Sequence, residues 1–71
     1  MKGKLMKAFQ RNATRIMAEK GISQIELAKR MGSTQATVSR ILHDDVTPSV
    51  YMIEKVADAL SVHYLELLED E

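Results

Sequence analysis

The chain has 71 residues, 45% of them hydrophobic, and no cysteine. That is room for one small domain, residues 1–71, whose core has no disulfide or thiolate-bound metal to reinforce it. Efficient helix packing or a partner subunit must stabilise it instead. The net charge is zero, but its distribution is polar: Met1 to His43 carries nine lysines and arginines against two acids, a balance of +7, and Asp44 to Glu71 carries one lysine against eight acids, a balance of −7. The basic half suits a polyanionic partner. No apolar run approaches the roughly 18 residues that span a bilayer. The basic start leads into no uninterrupted apolar stretch, which argues against a signal peptide, so a cytoplasmic protein is expected.

Leu5, Ala8, Phe9, Ala13, Ile16 and Met17 recur at helical spacing and predict a first helix from about Leu5 to Lys20. Gly21 ends it as a C-terminal cap. Ser23 is a good N-cap for the next helix, and Glu26 at its third position completes a capping box. That helix ends at Gly32, and a third runs from Gln35 to about Leu42. His43, Asp44, Asp45, Val46 and Thr47 make a polar loop whose exit Pro48 fixes. Ser49 caps a fourth helix with Val50, Ile53, Val56, Ala57 and Leu60 as its buried stripe. A break at Ser61-Val62-His63 precedes a final helix holding Leu65, Leu67 and Leu68, and Glu69-Asp70-Glu71 forms an acidic tail expected to fray. No strand pattern, repeat or low-complexity linker appears, so the expected fold is all-α, with five helices in one domain.

Within this order, Gln24 to His43 has the pattern of a helix-turn-helix. Leu27, Ala28 and Met31 share one face of the first motif helix. Two helices that cross steeply over a three-residue turn bring their backbones close, and Ala28 supplies the small side chain the contact needs. Gly32 accepts positive φ without steric cost, Ser33 and Thr34 carry the turn, and Thr34 caps the second motif helix. Val38 and Ile41 anchor that helix. Gln35, Ala36, Thr37, Ser39 and Arg40 remain on its exposed face, a short polar set suited to reading base edges in a major groove.

With these residues in place, the chain resembles the Cro/C1-type (XRE-like) helix-turn-helix family of phage repressors and bacterial regulators over roughly Ala13 to Leu68. The carriers are Gly21-Ile22-Ser23-Gln24, Glu26-Leu27-Ala28, Thr37-Val38-Ser39-Arg40-Ile41, Pro48-Ser49 and Ala59-Leu60-Ser61-Val62. The resemblance implies a compact five-helix, lambda-repressor-like domain that binds double-stranded operator DNA as a symmetric homodimer, with pairing that can depend on the DNA. It further implies a bacterial or phage-encoded, stand-alone Cro-like regulator without a separate ligand-sensing or protease domain. No cofactor, metal or small-molecule ligand is implied. Gln24 opens the first motif helix, where the family commonly bonds a backbone phosphate; its amide and the free N–H groups there suit an anion. Gln35 stands where a glutamine can pair bidentately with adenine, and Ala36 where a methyl can meet thymine. Thr37 and Ser39 can reach bases or phosphates, and Arg40 guanine or a phosphate.

Some positions depart from the family pattern. Many members carry a mostly buried ion pair between an arginine late in the first helix and a glutamate ending the recognition helix; here those positions are Met17 and Leu42. An apolar exchange of both partners can be neutral or stabilising, because desolvating two charges costs about what their attraction returns. The glycine that follows the recognition helix in relatives is Asp44, which would tolerate the left-handed region at some cost. The loop His43-Asp44-Asp45 is acidic where relatives are often basic, which argues against a loop-to-phosphate contact. Lys2, Lys4 and Lys7 stand at the start of the first helix, where its dipole disfavours cations, and either a phosphate contact or solubility accounts for them. Arg11 and Arg15 continue the stripe at i, i+4 and favour DNA.

Catalysis is not expected. His43 and His63 are the only histidines, no cysteine completes a metal set, and Asp44-Asp45 reads as a turn. His63 precedes the last helix, where relatives prefer a small cap, and is expected to be a surface residue. The competing function is a protein-interaction module, such as an antitoxin-type or accessory regulator with secondary DNA binding, whose acidic C-terminal half docks a basic partner.

Overall fold

The computed structural model describes residues 3–44 and 49–69. They form five helices and no strand: α1 (Lys4–Lys20), α2 (Gln24–Met31), α3 (Gln35–His43), α4 (Val50–Leu60) and α5 (Tyr64–Leu68). Asp45, Val46, Thr47 and Pro48 of the expected loop lie outside the described residues, as do Lys2 and Asp70-Glu71 of the tail.

Each helix begins where a side chain can accept an otherwise orphaned N–H, except α1, which starts at Gly3 without a side-chain cap. Ser23, Thr34 and Ser49 accept from the N–H groups of Glu26, Thr37 and Met52 at 3.1, 3.2 and 3.1 Å. The capping box expected at Ser23 forms only in half: the Glu26 carboxylate accepts from Arg30 Nε at 3.0 Å, one turn on. A full box forms at α5 instead. His63 Nδ1 accepts from the Leu65 N–H at 3.2 Å, and the Glu66 carboxylate accepts from the His63 N–H at 2.9 Å. His63 is therefore itself the cap, because an imidazole acceptor can do what a hydroxyl does at that position.

The C-terminal ends divide into two kinds. Gly21, Gly32 and Ser61 take the left-handed conformation after α1, α2 and α4, which folds the chain back so that following N–H groups meet the last carbonyls. Ser61 does so with a Cβ, at φ 59. Among the described residues, the ends of α3 and α5 show no such residue. Asp44 is extended (φ −84, ψ 165), so the left-handed strain expected there does not arise; Glu69 is extended too (φ −64, ψ 135). Their carbonyls need donors from elsewhere, and α1 provides them. Gln10 Nε2 donates to Ile41 O (3.1 Å) and Asp44 O (2.9 Å). Asn12 Nδ2 donates to Leu67 O (3.0 Å) and Glu69 O (2.8 Å), and Arg11 adds a bond to Glu69 O at 3.0 Å. Gln10 and Asn12 are the buried polar residues among those described.

The core sits where α1 meets α3, α4 and α5 and where α2 meets α3 and α4. Phe9, Ala13, Leu27, Val38, Val56, Leu60 and Leu67 are its most fully buried members. Each large one contributes about 1.5–3 kcal/mol through burial, while Ala13 and Ala28 let the helix backbones approach. Three expected members of the apolar stripes face solvent instead: Leu5, Leu65 and, at 71% exposure, Val50. Leu5 and Val50 stand in first turns, where periodicity persists although no neighbouring helix reaches far enough to cover them.

Met17 (7% exposed) and Leu42 (4%) are buried in the same core cluster. A charge at position 42 would replace a packed apolar side chain that is 4% exposed. Leu42→Glu is expected to lower stability by about 3 kcal/mol or more, read by thermal or urea unfolding, and adding Met17→Arg should recover much of that loss. An unchanged melting temperature in Leu42→Glu would show that the site reaches water.

Candidate nucleic-acid interface

The 3.6-residue period of α3 separates two faces. Val38, Ile41 and Leu42 point into the core, and Gln35, Ala36 and Arg40 are exposed, with Thr37 and Ser39 half-buried between. The turn that presents this face is set by Gly32, at φ 66, whose N–H and that of Ser33 close on the carbonyls of Lys29 and Ala28 at 3.2 and 2.8 Å.

Thr34 is more occupied than its sequence position suggests. Its hydroxyl accepts from the Thr37 N–H and donates its one proton to Thr37 Oγ1 at 3.0 Å. A phosphate can only accept, so Thr34 can serve it only by giving up that bond. The Thr37 hydroxyl accepts this proton and keeps its own for an outward acceptor. Thr34 is thus foremost the cap that starts α3, and Thr37 the better placed donor.

Gln24 begins α2, half-buried, with its amide nitrogen 3.1 Å from His43 Nε2 at the far end of α3. His43 in turn lines an open groove with Lys7, Gln10, Arg11, Thr14, Arg15 and Leu42. The structure therefore brings the basic stripe of α1 to the C-terminal end of α3, and His43 joins that stripe to Gln24. Arg11, Arg15 and Arg40 are exposed and Gln24 is half-buried, while His43, expected in the loop, closes α3 instead. The contact of Gln24 with His43 was legible only in three dimensions, because nothing in the spacing of 24 and 43 predicts that they meet.

The arginines are engaged, but through exposed contacts. Arg15 pairs with Glu19 one turn on at 3.2 Å, both side chains about half exposed; an i, i+4 pair of this kind is worth only about 0.3–0.5 kcal/mol. Arg11 donates to Glu69 O across an exposed bond. Arg15 also reaches Asn12 Oδ1 at 3.5 Å.

A helix-turn-helix family model matches residues 14–67. The chain belongs to the Cro/C1-type helix-turn-helix family. Comparison with curated proteins and with solved structures returned no match. The matched segment holds α2, α3 and α4 whole. Membership makes the protein a DNA-binding helix-turn-helix regulator, and among the described residues no helix is long and apolar enough to cross a membrane. Of the α1 side of the groove, Lys7, Gln10 and Arg11 precede the match, and Thr14 and Arg15 lie inside it.

The cap of α3 can be tested by itself. Thr34→Ala should cost about 1 kcal/mol of stability, seen as a lower urea midpoint, and Thr34→Ser should restore most of it. Equal stability of all three would mean that α3 starts without this bond.

Proposed function

We propose that the protein is a Cro-like cytoplasmic repressor that binds a pseudo-palindromic operator as a homodimer, with the helix 35–42 in the major groove. The observation that carries this reading is the exposed polar face of α3 beside a cationic groove. Base-reading and phosphate-holding groups share one side of the molecule, while the acids gather in α4, α5 and the tail. Gln35 reads adenine in a bidentate pair and Ala36 meets a thymine methyl. Thr37, Ser39 and Arg40 complete the contacts along the groove. Gln24 holds a phosphate at the start of α2, with Thr34 beside the same backbone. Arg11 and Arg15 hold phosphates beyond the end of α3.

Two copies are required because a helix of nine residues covers only a few base pairs. Two-fold pairing sets the second recognition helix one turn of DNA away, about 34 Å. The protomer measures 27 × 21 × 20 Å between its extreme Cα positions, so two copies at that spacing touch at an edge rather than across a broad face. A small contact of this kind favours pairing on the DNA. Exposed Tyr51 at the start of α4 and exposed Tyr64 on α5 are available to that edge, as is half-buried Leu68 on α5. The sequence also offers Val46 for it, which lies outside the described residues. The protein-interaction alternative draws on the same exposed residues and the acidic half of the chain.

Salt dependence separates the two readings. Binding to random duplex should weaken steeply with salt, by roughly 10³-fold between low and moderate salt for about six neutralised phosphates; flat or absent binding would favour the interaction module. Arg15→Ala should reduce the slope by about one and weaken all sequences alike, whereas Gln35→Ala should cost about 1–3 kcal/mol on the preferred duplex and little on random DNA. Equal losses in Gln35→Ala on both duplexes would show that Gln35 does not read bases.

A further inference from the structure

We infer that Gln10 is a positioning residue for the recognition helix, fixing the end of α3 that carries Arg40 and so setting sequence preference without touching DNA. The inference rests on the DNA-binding reading above and deepens it. Three observations carry it. Gln10 lies on α1, is 7% exposed, and directs its amide at two carbonyls of the α3 end, Ile41 O and Asp44 O. Asp44, being extended, contributes no left-handed cap, and its N–H returns only to Arg40 O, at 2.9 Å. The site of the family's polar tie between these helices, Met17 and Leu42, is apolar here and so imposes no hydrogen-bond geometry.

An apolar contact between helices tolerates sliding, since dispersion has little directional preference. Two hydrogen bonds from one planar amide do not: they fix the rotation and height of the last turn of α3 relative to α1. Arg40 sits in that turn, and its carbonyl accepts from the Asp44 N–H. Loosening the turn spreads the guanidinium over more positions, which degrades a bidentate contact more than a phosphate contact. The loss should therefore fall on specificity rather than on general affinity.

Gln10→Met keeps the length and volume of the side chain and removes the donor. Hydrogen exchange should then quicken about tenfold or more at Leu42, His43 and Asp44, with α2 and α4 unchanged. Affinity for the preferred duplex, selected from a random pool by the wild-type protein, should fall about tenfold, the order of one lost hydrogen bond, while random duplex is bound within twofold as before. Preference should relax at the base pair nearest Arg40. Gln10→Lys, whose ammonium can still donate to the carbonyls, should restore the slow exchange; it also keeps the test open if Gln10→Met fails to fold. Unchanged exchange in the last turn, a rise spread evenly over all helices, or equal losses on preferred and random duplex would each overturn the inference. If the wild-type chain prefers no duplex, the DNA-reading proposal fails, and the exchange profile alone decides whether Gln10 holds the helix.

Discussion

Two helix ends in this protein receive their donors from three consecutive residues of α1. Gln10 closes α3; Arg11 and Asn12 close α5. A buried carbonyl left without a donor costs about 1–3 kcal/mol, so the buried bonds from Gln10 to Ile41 O and from Asn12 to Leu67 O are expensive to break and restrict how α3 and α5 can sit on α1. No buried side-chain nitrogen or oxygen among the described residues lacks a partner. The rest of the core is apolar and sets distance; the amides set orientation. On the proposed reading α3 faces DNA, so a constraint on its end is also a constraint on function.

The division of charge follows the same architecture. The α1 stripe that borders α3 is basic, and it lies at the end where Arg40 and His43 add to it. The acids Glu54, Asp58 and Glu66 lie on α4 and α5, while on α1 itself Glu19 pairs with Arg15 and Arg11 bonds the Glu69 carbonyl. On the proposed reading, a zero total hides one surface fit for a phosphate backbone and another that such a backbone would avoid. Most of the attraction is then long-range and salt-sensitive, with discrimination left to the few side chains of α3 that would reach base edges.

Much of this was legible in the chain. The order of helices, the turn at Gly32 and the caps at Ser23, Thr34 and Ser49 follow from local rules, because spacing and backbone sterics act over a few residues. The polar triplet on α1 did not emerge in the same way, although Asn12 left a trace. The stripe Leu5, Ala8, Phe9, Ala13 and Ile16 predicts an apolar residue at 12, and asparagine stands there because two carbonyls from α5 arrive at that point. His63 is exposed, as expected, but its cap went unread for a related reason: capping rules favour hydroxyls, while an imidazole nitrogen accepts the same N–H. Asp44 was read against a glycine that relatives carry, whereas here the helix is closed from outside by Gln10. Periodicity reports which residues are buried; it does not report which distant backbone atoms they meet.

The account stands or falls on whether the exposed face of α3 reads sequence in two symmetric copies. Selection of bound duplexes from a random pool measures this directly. It should enrich inverted half-sites of a few base pairs, with centres about one helical turn apart and adenine prominent where Gln35 is placed. Recovery of unenriched sequence, or of a single half-site without its mirror image, would contradict it.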